Sequence, residues 1–353
     1  MKILLLSRYD RRGASSRIRS YQYIPYLKTA GIDIETCFLF DDDYVRSIQK
    51  GRTKRTLSII SSYAARLRHM AHVKTADLVW IEKELFPWLP GWMEHLLFQI
   101  KIPYVVDYDD AIFHRYDNHP WWVTRLLLGN KIDRVMRHAD LVLTGNHYLE
   151  RRAIKAGAPK VAYLPSVIDL ERYTIKKHTP KSTITVGWIG SPTTAKYLNM
   201  IMPALEAVCR YHPIRMVWVG AGGVDTKGLN IEVLPWQENR EVHDILEFDI
   251  GLMPLPDTSW TRGKCGYKLI QYMACGLPVI ASPVEANLDI VKDGINGFLV
   301  TDTREWVAAL EKLITQETLR QKMGKKGRQI VESKFCLQVT APYLKRMLNK
   351  FMP

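Results

Sequence analysis

Short apolar runs alternate with stretches of helical periodicity along almost the whole chain, and they do so in two series. In the first, Ile3 to Leu6, Ile34 to Phe40, Leu78 to Ile81, Tyr104 to Val106, Leu141 to Leu143 and Val161 to Leu164 read as strands. Unbroken apolar runs of this length suit parallel strands buried on both faces. Ser20 to Ala30, closed by Gly31, Trp121 to His138 and Tyr148 to Ala156 read as helices between them. A polar, basic stretch from Thr174 to Lys181 shows no apolar period and reads as a linker. The second series begins at Ile184 to Ile189. It continues through Met216 to Val219, Ile231 to Leu234, Ile250 to Met253, Pro278 to Ala281 and Gly297 to Val300. Thr303 to Ile314 and Glu317 to Phe335 close it as helices. The expected fold class is therefore α/β: two doubly wound, Rossmann-like domains, one over 1–173 and one over 182–335. Ligands of such sheets bind at the carboxyl ends of the strands, here in a cleft between domains.

Composition narrows this further. At 47% hydrophobic and 24% charged, the 353 residues exclude whole-chain disorder. No apolar run approaches a membrane span, and Met1 to Leu6 turns polar too soon for a signal peptide. The 5 cysteines form no CxxC pair, which argues against a disulfide framework or thiolate zinc site and for a reducing compartment. The net charge of +14 is concentrated. Val45 to Thr75 carries Arg46, Lys50, Arg52, Lys54, Arg55, Arg66, Arg68 and Lys74 with no acid, and Arg320 to Pro353 is similarly basic. The rest of the chain is close to neutral.

Leu57, Ile60, Ala64, Leu67 and Ala71 recur at helical spacing inside the first basic segment. That stripe fits a surface helix packed on a core. The sharper alternative is a basic amphipathic helix on an anionic membrane, with Arg52, Lys54, Arg55, Arg66 and Arg68 as its contacts. No zinc finger or RNP-type motif supports nucleic acid.

Two loops have the small residues that let backbone N–H groups approach an anion. One carries Gly13, Arg17 and Arg19 after the first strand. The other is Gly190-Ser191-Pro192-Thr193-Thr194, where Ser191 suits an N-cap and Pro192 the first helical position. No GxGxxG fingerprint is present, so a dinucleotide reading is weak.

The stretch from Arg262 to Ser282 places Gly263, Lys264, Gly266 and Lys268 before a short helix, then Met273-Ala274-Cys275-Gly276-Leu277-Pro278-Val279-Ile280-Ala281-Ser282. This closely resembles the GT-B glycosyltransferases of the family 4, or group 1, type. Leu164 to Tyr173 and Asp293 to Val300 are similar to further segments of that family. The resemblance implies a donor site holding a nucleoside diphosphate sugar in the second domain, no catalytic metal, and a last helix, about 336–353, returning to the first domain. The residue that usually holds the nucleotide ribose falls on Gln271, which can still make such hydrogen bonds. The usual donor-sugar Glu falls on Gly263, and a basic pair is replaced by Trp188 and Thr193. Lys264 and Lys268, with Gly190, Ser191, Thr193, Thr194 and Gly266, are then the candidates for the diphosphate.

In the first domain a strand ends on Asp107, Asp109 and Asp110. Clustered carboxylates call for a partner: a shared proton, a cation or a catalytic role. The resemblance sets Asp109 where relatives carry a residue near the reacting sugar. A metal site on the three is the competing reading, and the plainest one puts Asp107 in a structural salt bridge and Asp110 at a helix cap. Glu82 and Glu84, at another strand end, are candidates for acceptor hydroxyls. Phe86, Trp88, Trp92, Trp121 and Trp122 could stack on sugars or enter a membrane interface.

The expected function is transfer of a sugar from a nucleoside diphosphate donor to a hydroxyl of a glycan or lipid-linked acceptor. It belongs in cell-surface polysaccharide or glycolipid synthesis, at the inner face of the membrane. The rivals are a sugar-nucleotide epimerase of the same fold and a non-catalytic basic lipid- or nucleic-acid-binding protein.

Overall fold

The computed structural model describes residues 1–49, 56–91, 94, 102–177 and 183–351. The chain divides into two compact units, each built on one parallel sheet. Unit 1 comprises Met1–Ser166, Arg262–Cys265 and Thr340–Pro353; unit 2 comprises Val167–Thr261 and Gly266–Val339.

In unit 1 the strands are β1 (Lys2–Tyr9), β2 (Asp33–Phe40), β3 (Leu78–Glu82), β4 (Tyr104–Tyr108), β5 (Leu141–Thr144) and β6 (Val161–Tyr163). Their order is β2-β1-β3-β4-β5-β6. Every residue of β3, β4 and β5 is buried, as helices covering both faces of a parallel sheet require. Unit 2 holds β7 (Ile184–Ile189), β8 (Ile214–Val219), β9 (Ile231–Leu234), β10 (Ile250–Met253), β11 (Val279–Ala281) and β12 (Gly297–Leu299), in the order β12-β11-β10-β7-β8-β9. In each sheet the order reverses beside the first strand, between β1 and β3 and between β7 and β10. The loops leaving the carboxyl ends there are the natural ligand sites.

The helices depart from expectation at their breaks. Trp121 to His138 is two helices, Trp122–Leu128 and Lys131–His138, parted at Gly129 and Asn130. The first helical region is likewise divided into Ala14–Arg19, a single 3₁₀ turn, and Ile24–Thr29. The helix His147–Ala156 ends as the sequence signals require. Asn146 caps it by accepting from Leu149 N–H, and Gly157 closes it at φ 83°. In the C-terminal segment, Thr340 shares a 3.0 Å hydrogen bond with the Tyr23 hydroxyl. Among the described residues no helix is long and apolar enough to cross a membrane.

Candidate functional site

At the carboxyl end of the first sheet, the loops after β1, β3 and β4 build an alternating chain of charges. Lys83, just past β3, is held at φ 66°. Its ammonium lies 2.7 Å from Asp109 Oδ1, 3.4 Å from Asp110 Oδ2 and 2.8 Å from Ser15 Oγ. The Ser15 hydroxyl donates in turn to Asp109. Lys264 closes the other side, with Nζ 2.6 Å from Asp110 Oδ1. Burial works against the charges of Asp110, Lys83 and Lys264. It is overcome at Asp110 by Lys264 and Lys83, which hold its carboxyl well below the ordinary range. It is overcome at Lys83 by Asp109 and Asp110, which raise its pKa. The adjacent carboxylates are thus reconciled by two cations.

Lys264 reaches this cluster because residues 262–265 pack with unit 1. The cap residue Asn146 donates from Nδ2 to the carbonyls of Arg262 (3.0 Å) and Lys264 (2.9 Å). The Cys265 thiol donates to Asp109 O at 3.2 Å. A Cβ at Gly263 would overlap the backbone of Ala111. The missing carboxylate at this position therefore has a steric cause: no side chain fits.

Several expectations from the sequence need correction here. Asp107 is not a free catalytic carboxylate. Arg19 grips it from Nε (2.9 Å) and Nη2 (2.5 Å) and also donates to Leu164 O, and both residues are buried. Arg19 is consequently unavailable to a diphosphate, and its neighbour Arg17 is buried too. Gly13 packs against the Tyr9 side chain, so its lack of a Cβ serves packing. Glu84 is buried and occupied by Tyr116, Lys131 and Arg8, which leaves no face for an acceptor hydroxyl. Glu82 is buried and accepts from Arg8 N–H and Ser16 Oγ; burial raises its pKa. Lys264 belongs to the carboxylate cluster rather than to the second-unit loop. Arg66 is not at the surface. It is buried, donates to Ser7 O, and burial pushes its pKa down to about 10. Arg68 is exposed, while Arg52, Lys54, Arg55 and Trp92 lie outside the described residues. Among the described residues no group of three or more His, Cys, Asp or Glu is arranged to hold a metal ion.

Sequence reasoning passed over Lys83 and Ser15, the two groups that organise Asp109. The available signal was a lysine between two strand-end acids, one position past the last buried strand residue.

The second unit offers a different surface. The Gly190 N–H donates to Val219 O at 3.0 Å as β7 ends. A Cβ at Gly190 would collide with the Trp188 indole and with Lys268 Cε at 2.6 Å, so glycine lets that lysine lie against the loop. Lys268 Nζ stands 5.4 Å from the Trp188 ring centroid. Ser191 and Thr193 bring their hydroxyls within 2.9 Å of each other at the exposed start of the helix Pro192–Ala195. That helix has only 4 residues, so its aligned dipole is small and Lys268 is the principal positive charge identified at this end. Gly266 takes φ 66° before the helix Tyr267–Ala274, a conformation glycine adopts without strain. Gln271 does not join this group. It is buried, donating to the Tyr173 hydroxyl (2.9 Å), which donates to Glu241 (2.8 Å); Glu241 also accepts from Trp236 Nε1. Its expected ribose contact is corrected accordingly: the amide is spent inside the core.

Residues 183–316, nearly all in unit 2, match the family model described as Glycosyl transferases group 1. Over these residues the second unit is similar to the group 1 glycosyltransferases. Among curated proteins, part of the chain is 38% identical over 93 residues to the capsular polysaccharide biosynthesis glycosyltransferase CapM of Staphylococcus aureus, covering 26% of this chain and 24% of that protein. It is 25% identical over 203 residues to the putative teichuronic acid biosynthesis glycosyltransferase TuaH of Bacillus subtilis, covering 52% of this chain and 50% of that one. The matches thus span a quarter to a half of those relatives. Over nearly its whole length the chain is similar in structure to Anabaena HepE in complex with UDP-glucose: TM-score 0.74, 15% identity, 99% of this chain and 100% of that chain. This shows the fold, GT-B, within which the second unit carries Gly190 to Thr194 and Lys268.

Proposed function

We propose that the protein transfers a sugar from a nucleoside diphosphate donor to a hydroxyl of a glycan or lipid-linked acceptor, in the synthesis of cell-surface polysaccharide. The observation that carries this reading is the match of residues 183–316 to the group 1 glycosyltransferases. It is supported by relatives named for capsular polysaccharide and teichuronic acid synthesis and by a structural neighbour holding UDP-glucose. In this reading unit 2 takes the donor. Lys268 meets the growing charge of the leaving diphosphate, helped by the N–H and hydroxyl groups of Gly190, Ser191, Thr193 and Thr194.

Unit 1 takes the acceptor beside Asp109. Lys83 holds that carboxylate in place, so it acts by accepting a hydrogen bond from the acceptor hydroxyl. The acceptor is presented at an anionic membrane surface on the cytoplasmic side, to which the acid-free segment Val45 to Thr75 is attracted.

The test is a panel of UDP-, GDP- and ADP-linked sugars read by thermal shift and nucleotide release. One base class should stabilise the protein and be released only with acceptor present. Epimer formation without nucleotide release, or no shift with any donor, would overturn the proposal.

A further inference from the structure

Unit 1 turns two apolar faces to solvent. On the helix Thr56–His69, Arg66 points inward, while Leu57 (81% exposed), Ile60 (60%) and Leu67 (50%) form an outward stripe. Around the helix Trp122–Leu128, Trp121 (75%), Trp122 (66%), Leu126 (73%) and Leu127 (64%) stand out, and only Leu128 is buried.

The two faces are physically joined. The Tyr63 hydroxyl donates to Pro87 O at 2.5 Å. The next residue, Trp88, is half exposed and meets His119 edge-on with centroids 5.7 Å apart; His119 meets Trp121 at 6.5 Å. Trp88 follows β3 and Trp121 follows β4. The apolar residues therefore run across the same end of the sheet that carries Asp109.

Charge selects the occupant. Val45 to Thr75 has no acid and exposes Arg68 and Lys74, and Asn118 to Ile132 has none and exposes Arg125. A second copy docked through the same face would set these exposed cations against like charges. A bilayer containing anionic lipid supplies both an apolar phase and the missing negative charge. Indoles and leucines beside arginine are the composition of an interfacial element.

We infer that this face inserts into the interfacial layer of an anionic bilayer, with Trp121 and Trp122 at headgroup level and Leu126 and Leu127 below them. The inference rests on the membrane reading above and deepens it, from electrostatic attraction to apolar insertion.

The full chain is floated with vesicles of phosphatidylcholine containing a minority of phosphatidylglycerol, at low and high salt. Tryptophan quenching is followed with lipids brominated high on the acyl chain. The wild type should float, keep a bound fraction at high salt, and be quenched. The double variant Trp121→Ser/Trp122→Ser should lose the quenching and about tenfold or more in partitioning, as expected for two exposed indoles denied burial. Its donor-induced thermal shift should be unchanged, and Leu126→Asn/Leu127→Asn should reproduce the partitioning loss. No flotation, binding abolished by salt and indifferent to both variants, or a wild-type dimer dissolved by the tryptophan variant would each overturn the inference. Donor binding is read separately, so failure of the transferase reading shows as a missing thermal shift with flotation intact.

Discussion

The two sheets share a plan, yet their carboxyl ends use opposite chemistry. Unit 1 gathers Asp109, Asp110 and Lys264 into a part-buried chain of ion pairs around the buried Lys83, with Arg19 and Asp107 locked alongside. Unit 2 presents glycines, hydroxyls and one lysine lying on an indole. Buried charges must be paired with good geometry to be tolerated, so the first end is rigid and sensitive to any single loss. A loop of N–H and hydroxyl groups at a surface tolerates change but needs close backbone approach. The difference fits a division of labour in which unit 1 fixes charge and unit 2 receives it.

The largest break in this contrast should come from Lys83→Met. It leaves Asp109 and Asp110 adjacent without the buried ammonium that bridges them, and removing one partner of a buried pair costs about 3–5 kcal/mol. Denaturant midpoints measure this. Acid should produce the same loss gradually. Because the Asp110 carboxyl is depressed, its stabilisation is complete above the ordinary value of 3.8 and is lost as pH falls below it. Lys83 and Lys264 have raised pKa values, so their contribution persists up to 10.5 and fades above it. Asp110→Asn should flatten the acid limb; an unchanged limb would show that these pairs do not set it.

Asp109→Asn separates the units functionally. Transfer should fall by about 10²–10⁴-fold, while donor affinity, assigned to unit 2, stays within experimental error. Full activity, or parallel loss of donor binding, would erase the contrast. Gly190→Ala is the reciprocal test. Its methyl would displace Lys268 and the Trp188 edge, at about 1–3 kcal/mol of stability, and should weaken donor binding more than it lowers turnover. Calorimetry with donor alone distinguishes the two effects.

The strands were readable because a parallel strand buried on both faces must be apolar throughout, and each apolar run became one. The helices were less so: Gly129, packed on Arg125 O, breaks a periodicity that looked continuous. The basic helix shows a deeper limit. Its sequence carries an apolar stripe through Leu57, Ile60 and Leu67, and periodicity cannot say whether a stripe meets core or solvent. The structure gives the core side to Arg66, a choice no hydropathy pattern favours. Partnerships across long sequence separations were equally hidden. Nothing local pairs Arg19 with Asp107 or Lys264 with Asp110, so carboxylates that looked available were already occupied.

Strain sharpens the comparison most finely. Lys83 and Glu285 are both non-glycine residues at positive φ, 66° and 41°, just after β3 and in the loop after β11. Such backbone costs about 1–3 kcal/mol and persists only where the surroundings enforce it. At Lys83 the ion pairs outweigh the strain, so Lys83→Gly should destabilise despite relieving the backbone. At Glu285 the relief is set against the side chain's own contacts, so Glu285→Gly should change stability by about 1 kcal/mol or less, part of the relief being returned as lost backbone entropy. Opposite signs in thermal melts of the two variants would confirm that Lys83 is held at positive φ by charge. A loss in both would mean that side-chain contacts of Glu285 outweigh its backbone cost as well, and that the two ends of the molecule are more alike than their chemistry indicates.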